Sequence, residues 1–156
     1  MKLQVDIQSA SAEPAPDEDD IRAWIAAALT GRKVEAEVSV RLVDEAEMAR
    51  LNQTYRDKPG STNVLSFPAA LPEDIDHPLL GDIVLCPAVV NREAAEQGKT
   101  SAQHWTHMLV HGSLHLLGYD HLEPGEAETM ESLETAILAQ LGLPCPYHTD
   151  LAGASA

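Results

Sequence analysis

The sequence predicts a single α+β domain in which a histidine-bearing helix lies on a small sheet. Strand-like alternation and helical periodicity interleave until about Lys99, and no strand pattern recurs beyond it. The chain of 156 residues is 44% apolar, enough for one core. Only 4% is aromatic, so that core must be built mainly from Leu, Val, Ile and Ala. No repeat or linker divides the chain. The domain is expected over residues 1–143, with residues 144–156 as a flexible tail that has little to bury.

Residues 2–7, KLQVDI, place Leu3, Val5 and Ile7 on one side of a strand. The loop SASAEPAP follows. Ile21, Trp24, Ile25, Ala28 and Leu29 then form the stripe of a helix with acidic residues in its first turn, where the macrodipole favours them, and Gly31 at its end. VEAEVSVRLVD alternates Val38, Val40 and Leu42 as a second strand. Asp44 can cap the next helix, and Glu47 can complete a capping box. That helix runs through EAEMARLNQTYR with Met48, Leu51 and Tyr55 turned inward, and DKPGS breaks it. TNVLSF is a short third strand, PAALPEDIDHPLL a loop and GDIVLC a fourth strand. PAVVNREAAEQG is a helix with Pro87 in its first turn and Gly98 beyond its end. Thr100 and Gln103 form a capping box that opens the histidine helix. The last helix starts at Glu123 and Pro124, reaches about Leu141 and stops at Gly142.

Composition narrows the function. No apolar run approaches the roughly 20 residues of a membrane span, and MKLQVDIQSASAEP lacks the apolar core of a signal peptide. A cytoplasmic protein is expected, with no membrane partner. Cys86 and Cys145 belong to no ligand pattern and read as plain thiols. A net charge of -15 argues against nucleic-acid binding by bulk electrostatics. All ten Lys and Arg end at Lys99. A cation near the histidine helix must therefore be a bound metal, a protonated histidine, or an earlier basic residue folded back.

The chemistry concentrates in HGSLHLLGYDH, from His111 to His121. Four-residue spacing puts His111 and His115 on one helix face. Gly118 stands where the helix can end in a left-handed residue, so that His121 can swing back. Three imidazoles delivered this way make a zinc site with one position left open. His107, His111 and His115 are a rival set, but His107 and His115 are separated by about 12 Å along a helix. Zinc needs each nitrogen at about 2 Å. His107 reads instead as a core histidine or as a donor orienting a ligand. His104 reads as a surface residue at the helix start, and His77 and His148 as solvated. Asp120, beside His121, can orient a ligand, close a turn or face water.

The spacing is that of the zincins, H-E-x-x-H-x-x-G-x-x-H, with Gly112 in place of the glutamate that takes the proton from zinc-bound water. Glycine cannot do that, and inside a helix it costs roughly 1 kcal/mol relative to alanine. Its presence signals close approach of a backbone or substrate, or tight packing against another element.

HGSLHLLGYDH, together with LNQTYR, TNVLSFP and LGDIVLC, resembles the YbeY family of bacterial endoribonucleases over about residues 36 to 142. The resemblance implies a zincin-like (metalloprotease-like) α+β fold with a four-stranded mixed sheet and about five helices. It implies one Zn2+ on His111, His115 and His121, and the family's functional arginine falls on Arg56. It also implies single-strand-specific RNA cleavage, processing of the 3′ end of small-subunit (16S) rRNA, ribosome maturation and quality control, with rRNA and the ribosome or its proteins as partners and no DNA. A guanidinium is always charged and forks onto phosphate oxygens, which suits Arg56 to that role. The loop DKPGS departs from the family pattern: Lys58 is shifted from the lysine-aspartate pair that relatives carry there.

The sequence thus predicts a metal-dependent endoribonuclease. Two rivals stand beside it. A zincin-type metallopeptidase has the spacing in its favour and Gly112 against it. A ribosome-associated protein with a purely structural zinc would need a fourth ligand, from Asp120 or His107.

Overall fold

The computed structural model describes residues 2–69, 78–119 and 124–143. Alternation in the first two strand segments becomes β1 (Lys2–Ser9) and β2 (Glu35–Leu42), paired in parallel from Lys2↔Glu35 to Ser9↔Leu42. Between them runs α1 (Glu18–Leu29), the right kind of crossover for parallel neighbours. After β2 come α2 (Glu45–Arg56), β3 (Val64–Pro68) and β4 (Leu79–Leu85), then α3 (Pro87–Glu96), α4 (Ser101–Leu116) and α5 (Pro124–Gln140). The sheet order is β1-β2-β4-β3. β4 is parallel to β2, and β3 is antiparallel to β4, so the sheet is mixed and β3 forms an edge. The expected fold class holds: the described residues form a four-stranded mixed sheet with five helices.

Inward residues of the sheet, Val5, Val38, Val40, Leu42, Ile83 and Leu85, bury against Ile21, Ile25 and Leu29 of α1 and Trp105, Met108 and Leu109 of α4. A second cluster joins α1, α4 and α5 through Ala28, Val110, Leu114, Met130, Ile137 and Leu138. On the opposite sheet face Leu65 and Val84 meet Met48 of α2. Each face therefore has its own helices, and α4 and α2 lie on opposite faces.

Several local expectations need correction. Tyr55 is 62% exposed and stacks edge-on against Phe67, because Met48 already fills the inward position. The Asp44 carboxylate accepts from Glu47 N at 2.8 Å, but the Glu47 side chain pairs with Arg41 at 2.8 Å. The cap forms without the reciprocal half of the box. β3 starts at Val64 because the Asn63 side chain takes the Val64 amide at 2.6 Å. β4 starts at Leu79, two residues before the expected Gly81. His77, Asp120, His121, Glu123, Cys145, His148 and the tail lie outside the described residues. Among the described residues no helix is long and apolar enough to cross a membrane.

Gly81 holds the two strands of the edge hairpin close. Its φ is 141°, and a Cβ there would press into the Phe67 carbonyl oxygen and stand 2.9 Å from Ala69 N. Gly81→Ala is expected to cost about 3 kcal/mol through strain and displaced pairing, measured as the shift in a urea unfolding midpoint. A loss below about 0.5 kcal/mol, the range of an ordinary surface change, would show that the hairpin accommodates a side chain.

Candidate metal and phosphate site

The site is built on α4. Its first turn is closed by the expected capping box: Gln103 N donates to Thr100 Oγ1 at 3.1 Å, and Thr100 N donates to Gln103 Oε1 at 2.9 Å. Its end is closed by Gly118 at φ 103°, with Gly118 N bonded to His115 O and Tyr119 N to Leu114 O. That pair of bonds is the Schellman arrangement. Between the two ends, His104, His107, His111 and His115 follow one another, with ring centroids 6.3, 6.2 and 4.6 Å apart.

Gly112 lets this helix sit down on the sheet. Its carbonyl oxygen accepts from Ser66 Oγ of β3 at 3.0 Å. A Cβ would stand 3.1 Å from Ile83 Cγ2 and from Ser66 Oγ. Close packing against β3 and β4 therefore explains the glycine, and a side chain at this position would crowd Ile83 and Ser66.

His111 and His115 turn their Nε2 atoms toward each other at 3.1 Å. Two nitrogens held about 2 Å from one tetrahedral ion stand roughly 3.3 Å apart, so the pair has the spacing of shared ligands. The other nitrogen of His111, Nδ1, is in hydrogen-bonding contact with Glu134 Oε1 of α5. The same carboxylate lies 3.7 Å from His107 Nε2. His107, His111 and Glu134 together form a group that could hold a metal ion, with their ligand atoms within 4.8 Å of one another. Burial, the main influence on His107, holds its pKa below the usual imidazole value, against the upward pull of Glu134.

His104 corrects the sequence reading. It is 3% exposed and shares a proton with Glu93 Oε1 at 2.9 Å, whereas a surface position was expected. Glu93 also accepts from Asn63 Nδ2 at 3.0 Å. Burial pushes the Glu93 carboxyl up, but the hydrogen bonds from His104 and Asn63 outweigh it and leave its pKa lowered. This network ties α3, α4 and the start of β3 together behind the cleft.

Arg56 arrives from the other sheet face. Asp57 ends α2 in the left-handed conformation at φ 54°, braced by Gln53 Nε2 at 3.1 Å. The buried Asn52 donates to Gly60 O at 3.0 Å and folds the following loop back. The turn brings Arg56 and Lys58 around the β3 edge into a cleft of about 360 Å³ shared with Asn52, Asn63, Ser66, His107, His111 and His115. Among the described residues neither Arg56 nor Lys58 makes an ion pair, whereas Arg41 and Arg92 are paired with Glu47 and Glu45. Two cations thus line the same cleft as the imidazole pair.

Sequence reasoning missed Glu134, although a signal was present. It sits in the stripe Met130, Glu134, Ile137, Leu138, all of it buried, and Glu134 is 0% exposed. A charge on the apolar face of a helix needs a partner. Here the partner is the histidine row.

A family model described as Endoribonuclease YbeY matches residues 5–142. The Endoribonuclease YbeY of Pseudomonas fluorescens is 55% identical over 149 residues, covering 95% of this chain and 98% of that protein. The Endoribonuclease YbeY of Pseudomonas putida is 56% identical over 149 residues, with 95% of each chain covered. The solution structure of TM1509 from Thermotoga maritima aligns with a TM-score of 0.56 at 24% identity, over 89% of this chain and 91% of that one. That likeness is one of fold.

If Gly112 is set by packing, restoring the glutamate must damage the protein. Gly112→Glu is expected to lose about 3 kcal/mol or more, from overpacking and a stranded carboxylate, and to gain no casein cleavage. Thermal unfolding and a peptidase assay would check this; a stable variant with metal-dependent peptidase activity would refute the packing account.

Proposed function

The chain belongs to the YbeY family of endoribonucleases, and on that premise we propose that it is a zinc-dependent, single-strand-specific endoribonuclease. Its role would be processing of the 3′ end of small-subunit (16S) rRNA in the cytoplasm, in ribosome maturation and quality control, with ribosomal proteins as partners. The observation that carries this reading is the shared cleft of Arg56 and the His111–His115 pair. A phosphodiester needs a charged fork for its oxygens and an electrophile close by, and the cleft offers a guanidinium beside two converging imidazole nitrogens.

The donor set fits a borderline-soft divalent ion: neutral imidazoles with a carboxylate behind one of them. The proposed ligands are His111, His115 and His121, with Asp120 beside the third; His121 and Asp120 lie outside the described residues. Bound there, zinc would supply Lewis-acid polarisation of a phosphoryl oxygen. Arg56 binds the non-bridging oxygens and neutralises the charge that builds on them. Lys58, in the same cleft, adds a point charge for a neighbouring phosphate. His107 lines the same cleft and could hold a ligand or relay a proton. The crowded surroundings of Gly112 weigh against the peptidase reading.

Recognition in this scheme is local. The two cations of the cleft imply a slope of log affinity against log salt near -1.4, at about -0.7 per phosphate contact. A steep slope, of the kind six or more contacts produce, would count against it. Cleavage of a single-stranded rRNA 3′ fragment is the decisive assay. Arg56→Ala should retain metal and lose about 100- to 1000-fold in rate, while His115→Ala should lose both metal and cleavage. Undiminished cleavage by Arg56→Ala or His111→Ala would sink the scheme.

A further inference from the structure

Histidine is a useful ligand only if the nitrogen facing the ion is bare. A neutral imidazole carries one N–H, and the nitrogen that keeps it is the one facing an acceptor. At His111 that acceptor is Glu134: its Oε1 meets Nδ1, so Nδ1 holds the proton and Nε2 presents its lone pair toward His115 Nε2. We infer that Glu134 is a positioning residue of the metal site: it sets the tautomer, ring orientation and basicity of His111 from a different helix. This rests on the metal reading proposed above and adds a residue that the histidine motif does not contain.

Three observations support the assignment. Glu134 is fully buried on α5 between Met130, Ile137 and Leu138, so its carboxylate has no water to turn to and is held on a rigid element. A charge placed there is costly unless a donor meets it, and imidazoles of α4 stand within reach of it. The same oxygen lies 3.7 Å from His107 Nε2, so one carboxylate addresses two successive turns of the helix. The proposal also distinguishes two uses of the His107, His111, Glu134 group. Glu134 meets the Nδ1 of His111 in a direct hydrogen bond, whereas Nε2 of the same ring is the nitrogen that faces His115. Glu134 therefore acts through His111, and the ion belongs on the Nε2 side.

The test is zinc affinity, by competition with a chromophoric chelator, in the wild type, Glu134→Gln and His115→Ala, each checked for folding by circular dichroism. Gln keeps the shape and an acceptor but removes the charge. Glu134→Gln is expected to bind zinc about 10- to 100-fold more weakly, and His115→Ala to bind none. An affinity within twofold of the wild type would overturn the proposal. So would abolition of binding in Glu134→Gln with binding retained in His115→Ala, because Glu134 would then be a ligand. A second measurement needs no variant: 15N-histidine spectra of the metal-free wild type should show His111 protonated at Nδ1, and protonation at Nε2 would overturn the assignment. Failure of the wild type to bind zinc would remove the metal reading itself. Intact zinc binding with no RNA cleavage would remove the nuclease reading and leave the role of Glu134 standing.

Discussion

The close seating of α4 on the β3–β4 hairpin is the constraint on which the rest of the site depends. Gly112 makes it possible by offering no side chain where Ile83 and Ser66 approach, and the Ser66 hydroxyl then locks the helix backbone at 3.0 Å. With the helix this close, His111 and His115 share one cleft with Val64, Leu65 and Ser66 of the edge strand and with Arg56. The glycine costs helix propensity, roughly 1 kcal/mol against alanine, and returns it as tight packing. Gly81 performs the matching task in the strand beneath, letting β3 close on β4.

Carboxylates on two neighbouring helices hold histidines of the row. Half-buried Glu93 on α3 meets His104 at its start, and buried Glu134 on α5 meets His111 further along. Each carboxylate is matched by an imidazole. The consequence is a division of labour along one helix face. The N-terminal part of the row knits three elements together, while the C-terminal part presents nitrogens to the cleft.

The charge balance fits a site that works at short range. The surface is acidic, with a net charge of -15, so a polyanion gains little from the protein's overall field. Arg41 and Arg92 are occupied by neighbouring glutamates. Among the described residues Arg56 and Lys58 make no ion pair, and both line the cleft that follows the Asn52–Gly60 turn. Specific geometry replaces bulk attraction.

The elements themselves were legible from local chemistry. Alternation at Val38, Val40 and Leu42, the Thr100–Gln103 box and Gly118 are patterns of near neighbours, and a helix or strand follows from them with little help from distant residues. The pairing of His111 with His115 was legible too, from spacing, and Arg56, singled out by resemblance, lines the same cleft. Tyr55, His104 and Glu134 were not. Each looked like a routine member of its helix, and each took its role from a residue on another element: Phe67, Glu93 and His111. The sequence alone determined which residue types were available and, to within a few residues, which stretches form helices and strands. Only the tertiary structure decided that α2 and α4, packed on opposite sheet faces, would meet at the edge of β3, and that a glutamate 23 residues beyond His111 would touch it. Contacts of that kind depend on how the elements are packed in three dimensions, which no local pattern encodes.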